Sequence, residues 1–368
     1  MTTLTPTEDE VMLRDAARGF CNAAGVANLR ACRDAGKPYD NALWAEMVAM
    51  GWAGVLVSED EGGSDMGFAA ANVLAEEMGR SLIASPFLST AVIAATALRR
   101  AGRSTAAIAD GTATYALALD ETRKFAPEAT AMEARASGNG FVVTGSKTFV
   151  ADGTSASRVL VLARAEAGLT LFDVDAERAG LSRDRLGLVD SRDHATLRFH
   201  GVDATGDDVV GEVGGGLAAL APALRAGQAA LSAELLGLSA GAFAMTTAYL
   251  KARKQFGRLI GSFQALQHRA AHLFCEIEVT ASAIANAGRM LDHDPENADL
   301  AVSLAKARAS ETAGLAVREG VQMHGGIGMT DEYDMGFYMK RARVGAEWLG
   351  DYGYHAARVA DLRGKTAA

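Results

Sequence analysis

The spacing of apolar residues changes twice along the chain, and this change limits the possible folds more than any other feature. From residue 7 to about 110, apolar residues recur at three- and four-residue spacing, which is typical of amphipathic helices. From about 112 to 209 the pattern becomes that of short strands, and beyond Gly216 it returns to long helices. The predicted strands are residues 115–119, 159–162, 169–172 and 196–200.

These two changes predict an α+β chain that is mostly α and has three domains. A helical N-terminal domain should cover residues 1–110, a β-barrel or β-sandwich domain residues 111–209, and an antiparallel helix bundle residues 210–368. Within the β region we predict a hairpin turn at Asn139-Gly140, because this dipeptide suits the left-handed backbone of a two-residue turn.

Composition and charge exclude several classes of protein. With 49% apolar and 22% charged residues the chain is not disordered, and its net charge of −9 predicts no binding to nucleic acid or anionic membranes. The three cysteines lack CxxC spacing, so neither a metal site nor a disulfide framework is expected. The acidic N-terminus does not resemble a signal peptide, and the apolar run 87–98 is too short to span a bilayer. We therefore expect a cytoplasmic protein.

The densest chemical signal begins at Arg253. Together with Lys254 and Arg258 it places positive charge at the end of a helix, and Gly257 and Gly261 interrupt the chain before the next helix. A guanidinium suits bidentate contact with a phosphate, and glycines let a turn approach a flat ligand. A solvated helix end with a glycine C-cap gives the same pattern, so these residues alone leave both interpretations open.

A second glycine-rich segment, from Gln322 to Gly328, follows another predicted helix. The adjacent Gly325 and Gly326 would let backbone amides meet a ligand, although a simple C-cap turn has the same sequence. The segment is not a dinucleotide-binding fingerprint, because no strand precedes it and no βαβ unit surrounds it.

In this order, and on this helix–sheet–helix plan, the two segments resemble the acyl-CoA dehydrogenase family of flavoproteins. The resemblance extends over nearly the whole chain and implies the family's fold, with a C-terminal four-helix bundle. The C-terminal matches are specific, whereas the N-terminal ones are supportive. The matching segments are residues 43–52, 61–63, 75–80, 145–153, 253–268 and 322–328.

The resemblance implies an enzyme that uses FAD to oxidise an acyl-CoA thioester to the α,β-enoyl thioester. It also implies that the electrons pass to an electron-transferring flavoprotein. Arg253, Phe256 and Gln264 would contact the FAD of one subunit, and Phe149 would stack on the flavin ring.

The same resemblance implies an oligomer. Gln322 and the backbone of Gly325 and Gly326 would contact the FAD of a neighbouring subunit. The assembly would be a homodimer, a homotetramer or a heterotetramer with a related subunit, because some members of the family are heteromeric and act on bulky steroid-type CoA esters.

The chain departs from the family pattern in three places. The loop beside the flavin is normally rich in glycine, but residues 117–127 contain none. A hydroxyl that would bond the flavin is lost at Ala151. The usual catalytic glutamate aligns with Leu349, and the alternative glutamate of some members aligns near Gly227, so neither position is acidic.

Several explanations of the missing base remain open on the sequence. Asp351, two residues beyond Leu349, is the best candidate within the chain, and Glu347 and Glu234 are further candidates. Alternatively, a related partner subunit supplies the glutamate, which is the interpretation we favour. The chain could also be a non-catalytic structural subunit of a heteromeric dehydrogenase, or a flavin oxidase or monooxygenase of the same fold.

Overall fold

A computed structural model describes residues 4–366 of the chain, which forms two compact units. Of the described residues, the helical unit consists of 4–30, 68–83 and 228–366, and the sheet unit of 31–67 and 84–227. The domain boundaries proposed from the sequence, after residues 110 and 209, stay a prediction.

The mostly helical α+β class expected from the sequence is confirmed. A helical segment of π type, Leu88–Ala94, precedes the helix that begins at Ala95, and Gly25, with a φ of 57°, kinks the first helix of the chain. The α-helices of the described residues are α1 (Glu8–Asp34), α2 (Asn41–Ala49), α3 (Gly67–Arg80), α4 (Ala95–Arg100), α5 (Ala106–Ala109), α6 (Gly216–Ala252), α7 (Gln264–His293), α8 (Asp299–His324), α9 (Met335–Glu347) and α10 (Tyr352–Thr366).

Each of the four predicted strands, at residues 115–119, 159–162, 169–172 and 196–200, coincides with a strand of the structure. The strands of the described residues are β1 (Tyr115–Ala118), β2 (Glu133–Ser137), β3 (Gly140–Ala151), β4 (Arg158–Ala165), β5 (Gly168–Asp175), β6 (Leu181–Arg185), β7 (His194–Thr205), β8 (Val209–Val210), β9 (Lys254–Gln255) and β10 (Arg258–Leu259). The first eight form one sheet in the order β6-β7-β3-β2-β4-β5-β8, and β1 pairs in parallel with β4. Most of the other pairings are antiparallel, as expected for a sheet built from hairpins.

The predicted turn at Asn139-Gly140 is wrong by one residue. Ser137 pairs with Gly140, so Gly138 and Asn139 form the two-residue turn between β2 and β3. Gly138 has a φ of 56°, and glycine at the first turn position suits a type II′ turn. The turn therefore uses Gly138, the glycine before Asn139, and the pairing of β2 with β3 differs accordingly from the one predicted.

A compact apolar cluster fills one side of the sheet. Val143, Val161, Phe172 and Leu197 are completely buried, and Phe199 is 1% exposed. Burying a side chain of this kind stabilises a fold by about 1.5–3 kcal/mol. The alternation of buried and exposed positions along β7 is the pattern from which its strand was predicted.

In the helical unit, α3 and α6 pack with their backbones in close contact. A Cβ atom at Gly79 would overlap the backbone of Glu234, and one at Gly237 would overlap the backbone of Glu76. By length and composition α6 could cross a membrane, but 78% of its most apolar stretch is buried, which is typical of a core helix.

Candidate cofactor and active site

A two-stranded hairpin between α6 and α7 carries the first predicted cofactor residues. Phe256 and Gly257 form its turn, with φ angles of 53° and 77°, between the paired strands β9 and β10. Two left-handed residues are typical of a type I′ turn, and for phenylalanine this conformation costs about 1–2 kcal/mol. The Phe256 side chain is 89% exposed, so the hairpin holds an aromatic ring out in solvent.

The same hairpin presents positive charge. Arg253, Lys254 and Arg258 are exposed, and no carboxylate among residues 4–366 lies within 4 Å of their charged groups. The Arg258 guanidinium lies over the ring of Phe263, 4.0 Å from its centroid. Neither a carboxylate nor an aromatic ring of the described residues contacts the guanidinium of Arg253, which is therefore available to an anion.

Gln264 is the first residue of α7 and is exposed. Phe263, the residue before it, provides no side-chain cap, so the positive end of the helix dipole remains open to a ligand. Arg253, Phe256 and Gln264 therefore belong to one hairpin–turn–helix segment, and their contact with FAD stays a prediction.

The second predicted segment begins where α8 ends. Gly325 has a φ of 67°, and a Cβ at Gly325 or Gly326 would meet no atom within 4 Å, so this backbone is accessible. Gln322 is exposed on the last turn of the helix. The buried ring of His324 lies 4.6 Å from the ring of Tyr249 on α6, and this contact joins the end of α8 to the helix that leads into the hairpin.

Phe149 belongs to the sheet unit and stays a separate prediction. It has a φ of 55° where the pairing of β3 with β7 is interrupted. The Thr148 N–H donates to the Asp120 carbonyl at 2.7 Å, so the glycine-free segment 117–127 runs beside this position. Burial raises the pKa of the Asp120 side chain to about 6, although Lys147 acts in the opposite direction. Asp120 was not predicted from the sequence.

The segment predicted to correspond to the family's catalytic base has an unusual backbone. Leu349 has a left-handed φ of 58° and is 3% exposed, so its apolar side chain is buried. The exposed Asp351 carboxylate accepts a hydrogen bond of 2.7 Å from the backbone N–H of Tyr354 and so caps the start of α10. Glu347 pairs with Arg343 at 2.8 Å on the helix surface. Asp351 as a base therefore stays a prediction.

Asp351 also faces a cavity of about 720 Å³ in the helical unit. The cavity lies among α7, α8, α9 and the start of α10, and its wall carries charges of both signs. Its charged and ionisable residues are His272, Glu276, Glu311, Arg318, Arg343, Glu347 and Asp351. Such a wall suits water and polar groups better than an acyl chain.

Glu234, the remaining acidic candidate, has a buried partner. Its carboxylate accepts a hydrogen bond from the Arg341 guanidinium at 3.0 Å, and both side chains are less than 10% exposed. The pair favours a structural role for Glu234.

Three side chains that hold the base segment were not predicted from the sequence, namely Gln228, Lys306 and His355. Gln228 Nε2 donates to the Leu349 carbonyl, and Lys306 Nζ lies 3.0–3.1 Å from three other carbonyls of the segment. One signal was present, because Lys306 is the single charge in the small and apolar run 300–307 and is completely buried.

Two family models match the chain. The acyl-CoA dehydrogenase N-terminal domain matches residues 7–107, and the C-terminal domain of the same family matches residues 214–362. The chain is 32% identical to acyl-CoA dehydrogenase IpdE2 of Mycobacterium tuberculosis over 94% of both proteins. The chain belongs to the acyl-CoA dehydrogenase family. It is accordingly an FAD-dependent oxidoreductase that acts on CH–CH groups, in lipid metabolism.

Other known proteins agree with this assignment. The short/branched chain specific acyl-CoA dehydrogenase of Bos taurus is 28% identical over 94% of this chain and 83% of its own length. Among solved structures, a variant of the Tcur3481-Tcur3483 steroid ACAD is 31% identical, with a TM-score of 0.88 over 98% of this chain and 99% of that one. Butyryl-CoA dehydrogenase of Megasphaera elsdenii is 21% identical with a TM-score of 0.92 over 100% of both chains and supports the fold.

The two C-terminal segments suit the FAD that this family binds. A pyrophosphate requires positive charge and N–H donors, and the exposed Arg253 and the uncapped N-terminus of α7 offer both within one segment. The accessible backbone at Gly325-Gly326 offers further N–H groups. When bound, the flavin accepts a hydride, while the chain's own residues hold and orient the ligands.

Replacing Arg253 with alanine should weaken FAD binding by roughly 10- to 150-fold. A charge-assisted hydrogen bond to phosphate contributes about 1.5–3 kcal/mol, and its loss corresponds to a change in affinity of this size. Flavin occupancy is measured from visible absorbance after dialysis at a series of FAD concentrations. Lys251→Ala, which removes an exposed cation from the last turn of α6, is the control. Equal affinity in the two variants would contradict this role of Arg253.

Proposed function

We propose that this chain is one subunit of an acyl-CoA dehydrogenase whose active site is completed by a related partner. The observation that carries the proposal is the buried Leu349 at the position of the family's catalytic glutamate. Removal of an α-proton requires a base within hydrogen-bond reach, and a leucine cannot accept a proton. Asp351 caps a helix and Glu234 is paired with Arg341, so neither carboxylate is an obvious replacement.

On this proposal, each subunit contributes to flavin binding. Arg253, Phe256 and Gln264 contact one FAD, and Phe149 stacks on the flavin ring. Gln322, Gly325 and Gly326 reach the FAD of the neighbouring subunit. The exposure of Phe256 and Gln322 in the single chain supports an arrangement in which another subunit or its cofactor covers them.

The substrate is an acyl-CoA thioester, and we infer a bulky, steroid-type acyl group. This inference is supported by the solved steroid ACAD, which carries two protein names and is 31% identical to this chain. The partner is a related acyl-CoA dehydrogenase subunit that retains its glutamate. The electron acceptor is an electron-transferring flavoprotein, and the complex works in the cytoplasm.

Activity should appear only when the partner is present. The chain is purified alone and after co-expression with a neighbouring acyl-CoA dehydrogenase gene, and turnover is followed with an artificial electron acceptor. Because general base catalysis contributes about 10²–10⁴-fold, the complex should exceed the homomer by a factor in this range. Replacing the partner's catalytic glutamate with glutamine should abolish the difference.

Asp351→Asn distinguishes the shared site from a self-sufficient one. The shared site predicts that the complex keeps its activity in this variant, as it should in the control Asp361→Asn, which changes an exposed carboxylate on α10. Robust turnover by the homomer that collapses in Asp351→Asn would contradict the partner proposal and identify Asp351 as the base.

A further inference from the structure

Lys306 lies in the middle of α8 and is completely buried. Its ammonium nitrogen is 3.1 Å from the carbonyl oxygens of Gly345 and Ala346, 3.0 Å from that of Gly350 and 3.2 Å from Ser310 Oγ. No carboxylate among the described residues lies within 4 Å of it. Because this ammonium has no carboxylate partner among the described residues and lies among the carbonyls of one short segment, its hydrogen bonds constrain the backbone of that segment.

Two other side chains hold a fourth carbonyl of the segment. Gln228 Nε2 on α6 donates to the Leu349 oxygen at 3.1 Å, and His355 Nε2 on α10 is 3.1 Å from the same atom. Side chains from three helices thus bind the carbonyls of residues 345, 346, 349 and 350. We call this set, Gln228, Lys306 and His355, the carbonyl clamp.

The backbone inside the clamp is strained. Leu349 and Gly350 both have positive φ angles, 58° and 103°. A left-handed conformation is unfavourable for leucine and persists only where surrounding contacts over-determine it. A Cβ at Gly350 would clash with Tyr354 and His355, so the glycine is required by packing against α10. The contacts of the clamp are made to backbone oxygens, so they do not require a particular side chain at position 349.

We propose that Lys306 is a positioning residue that fixes the backbone of residues 345–350, so that the scaffold for a base at position 349 survives although the base itself has been lost. This inference rests on the proposed function, in which position 349 corresponds to the catalytic glutamate. The clamp would set the direction of a glutamate side chain placed at position 349. The single substitution Leu349→Glu would therefore restore a base to this chain. Removing the ammonium would release three carbonyls and let the direction of residue 349 vary.

The first test does not depend on flavin or on activity. Amide hydrogen exchange of the chain, followed by mass spectrometry, is compared for the parent protein, Lys306→Met and the control Ser303→Ala. Ser303 is a buried hydroxyl on the same helix without a hydrogen-bond partner in the described chain. Exchange in residues 345–351 should rise at least tenfold in Lys306→Met alone, while β3 and β7 are unchanged. Equal protection of this segment in all three proteins would overturn the proposal.

The second test uses Leu349→Glu in the homomer, with bound flavin verified from its visible spectrum. We expect kcat with an acyl-CoA substrate to rise about 10²- to 10⁴-fold over the parent chain. In the double variant Lys306→Met/Leu349→Glu, kcat should be at least tenfold lower than in Leu349→Glu, while KM should change less than twofold. A double variant that keeps the whole gain, or a folded, flavin-loaded Leu349→Glu without any gain, would overturn the proposal.

The two tests separate the inference from the proposed function. If neither the parent chain nor its complex with the partner holds flavin, the proposed function fails, but the exchange experiment still decides whether Lys306 fixes the segment. If Lys306→Met does not fold, Gln228→Leu replaces it, because this change removes one of the two donors to the Leu349 carbonyl. Two results together would equally overturn the clamp. Folded Gln228→Leu would show unaltered exchange at residues 349–351, and Gln228→Leu/Leu349→Glu would keep the full increase in kcat.

Discussion

Replacing Glu234 with alanine is expected to lower the free energy of unfolding by about 3–5 kcal/mol, because it removes one partner of a buried ion pair. Arg341 is 1% exposed, and its Nη1 lies 3.0 Å from the Glu234 carboxylate. The same nitrogen also donates to the Ile83 carbonyl at 3.4 Å, a weak bond that cannot replace an ion pair. Urea unfolding of the variant measures the loss.

Two controls make this prediction specific. Glu347→Ala removes one partner of the exposed pair with Arg343 and should change stability by less than about 1 kcal/mol. The double variant Glu234→Leu/Arg341→Met replaces the buried pair by apolar groups and should recover most of the stability. A cost below about 1 kcal/mol for Glu234→Ala would show that Arg341 does not depend on this carboxylate.

Acidification should destabilise both units through two buried histidines. Burial lowers the pKa of His194 to about 4 against the attraction of Asp190, and burial together with Lys306 lowers the pKa of His355 to about 4. In the unfolded chain these two histidines take up protons near pH 6.5. The stability that they contribute is therefore fully present above that pH and is lost as the pH falls toward 4. One pKa unit corresponds to about 1.4 kcal/mol, so each histidine accounts for roughly 3 kcal/mol below pH 4.

His194→Asn tests the contribution of the sheet unit. The free energy of unfolding is measured in urea at about pH 7.5 and about pH 4.5, at constant ionic strength. The variant should lose clearly less stability between the two pH values than the parent protein. His293→Asn, which changes an exposed histidine at the end of α7, should lose as much as the parent. If His194→Asn shows the full loss, the acid sensitivity lies elsewhere.

The order of helices and strands could be predicted because both depend on short-range periodicity. The runs around Val161 and Phe172 are short and mostly apolar, the run around Leu197 alternates with the pleat of the sheet, and the structure buries all three residues. The short strand β6, Leu181–Arg185, was missed, since its polar sequence shows no buried face and its pairing with β7 is a long-range contact. The predicted turn was misplaced by one residue, because the dipeptide Asn139-Gly140 gave no sign that Gly138 would adopt a positive φ.

The candidate site could be predicted only where its residues are neighbours in sequence. Arg253, Phe256 and Gln264 form one motif and lie together in the hairpin–turn–helix segment. The carbonyl clamp, in contrast, joins residues up to 127 positions apart, from Gln228 to His355. Its donors bind backbone oxygens, which carry no residue identity, so no spacing or composition signal marks them. Only the packing of α6, α8 and α10 brings them to one segment.

The exposed ring of Phe256 also bears on how much of this protein a cell retains. A copy that stays unassembled displays an aromatic side chain, 89% exposed, on a strained turn that cannot retract it. Exposed apolar groups of this kind are what chaperones and proteases recognise in unfolded or orphaned chains. Copies in which a ligand or a second chain covers the turn escape that recognition. The cellular amount of this polypeptide would then follow the supply of its cofactor and its binding partner, whatever the strength of its own transcription.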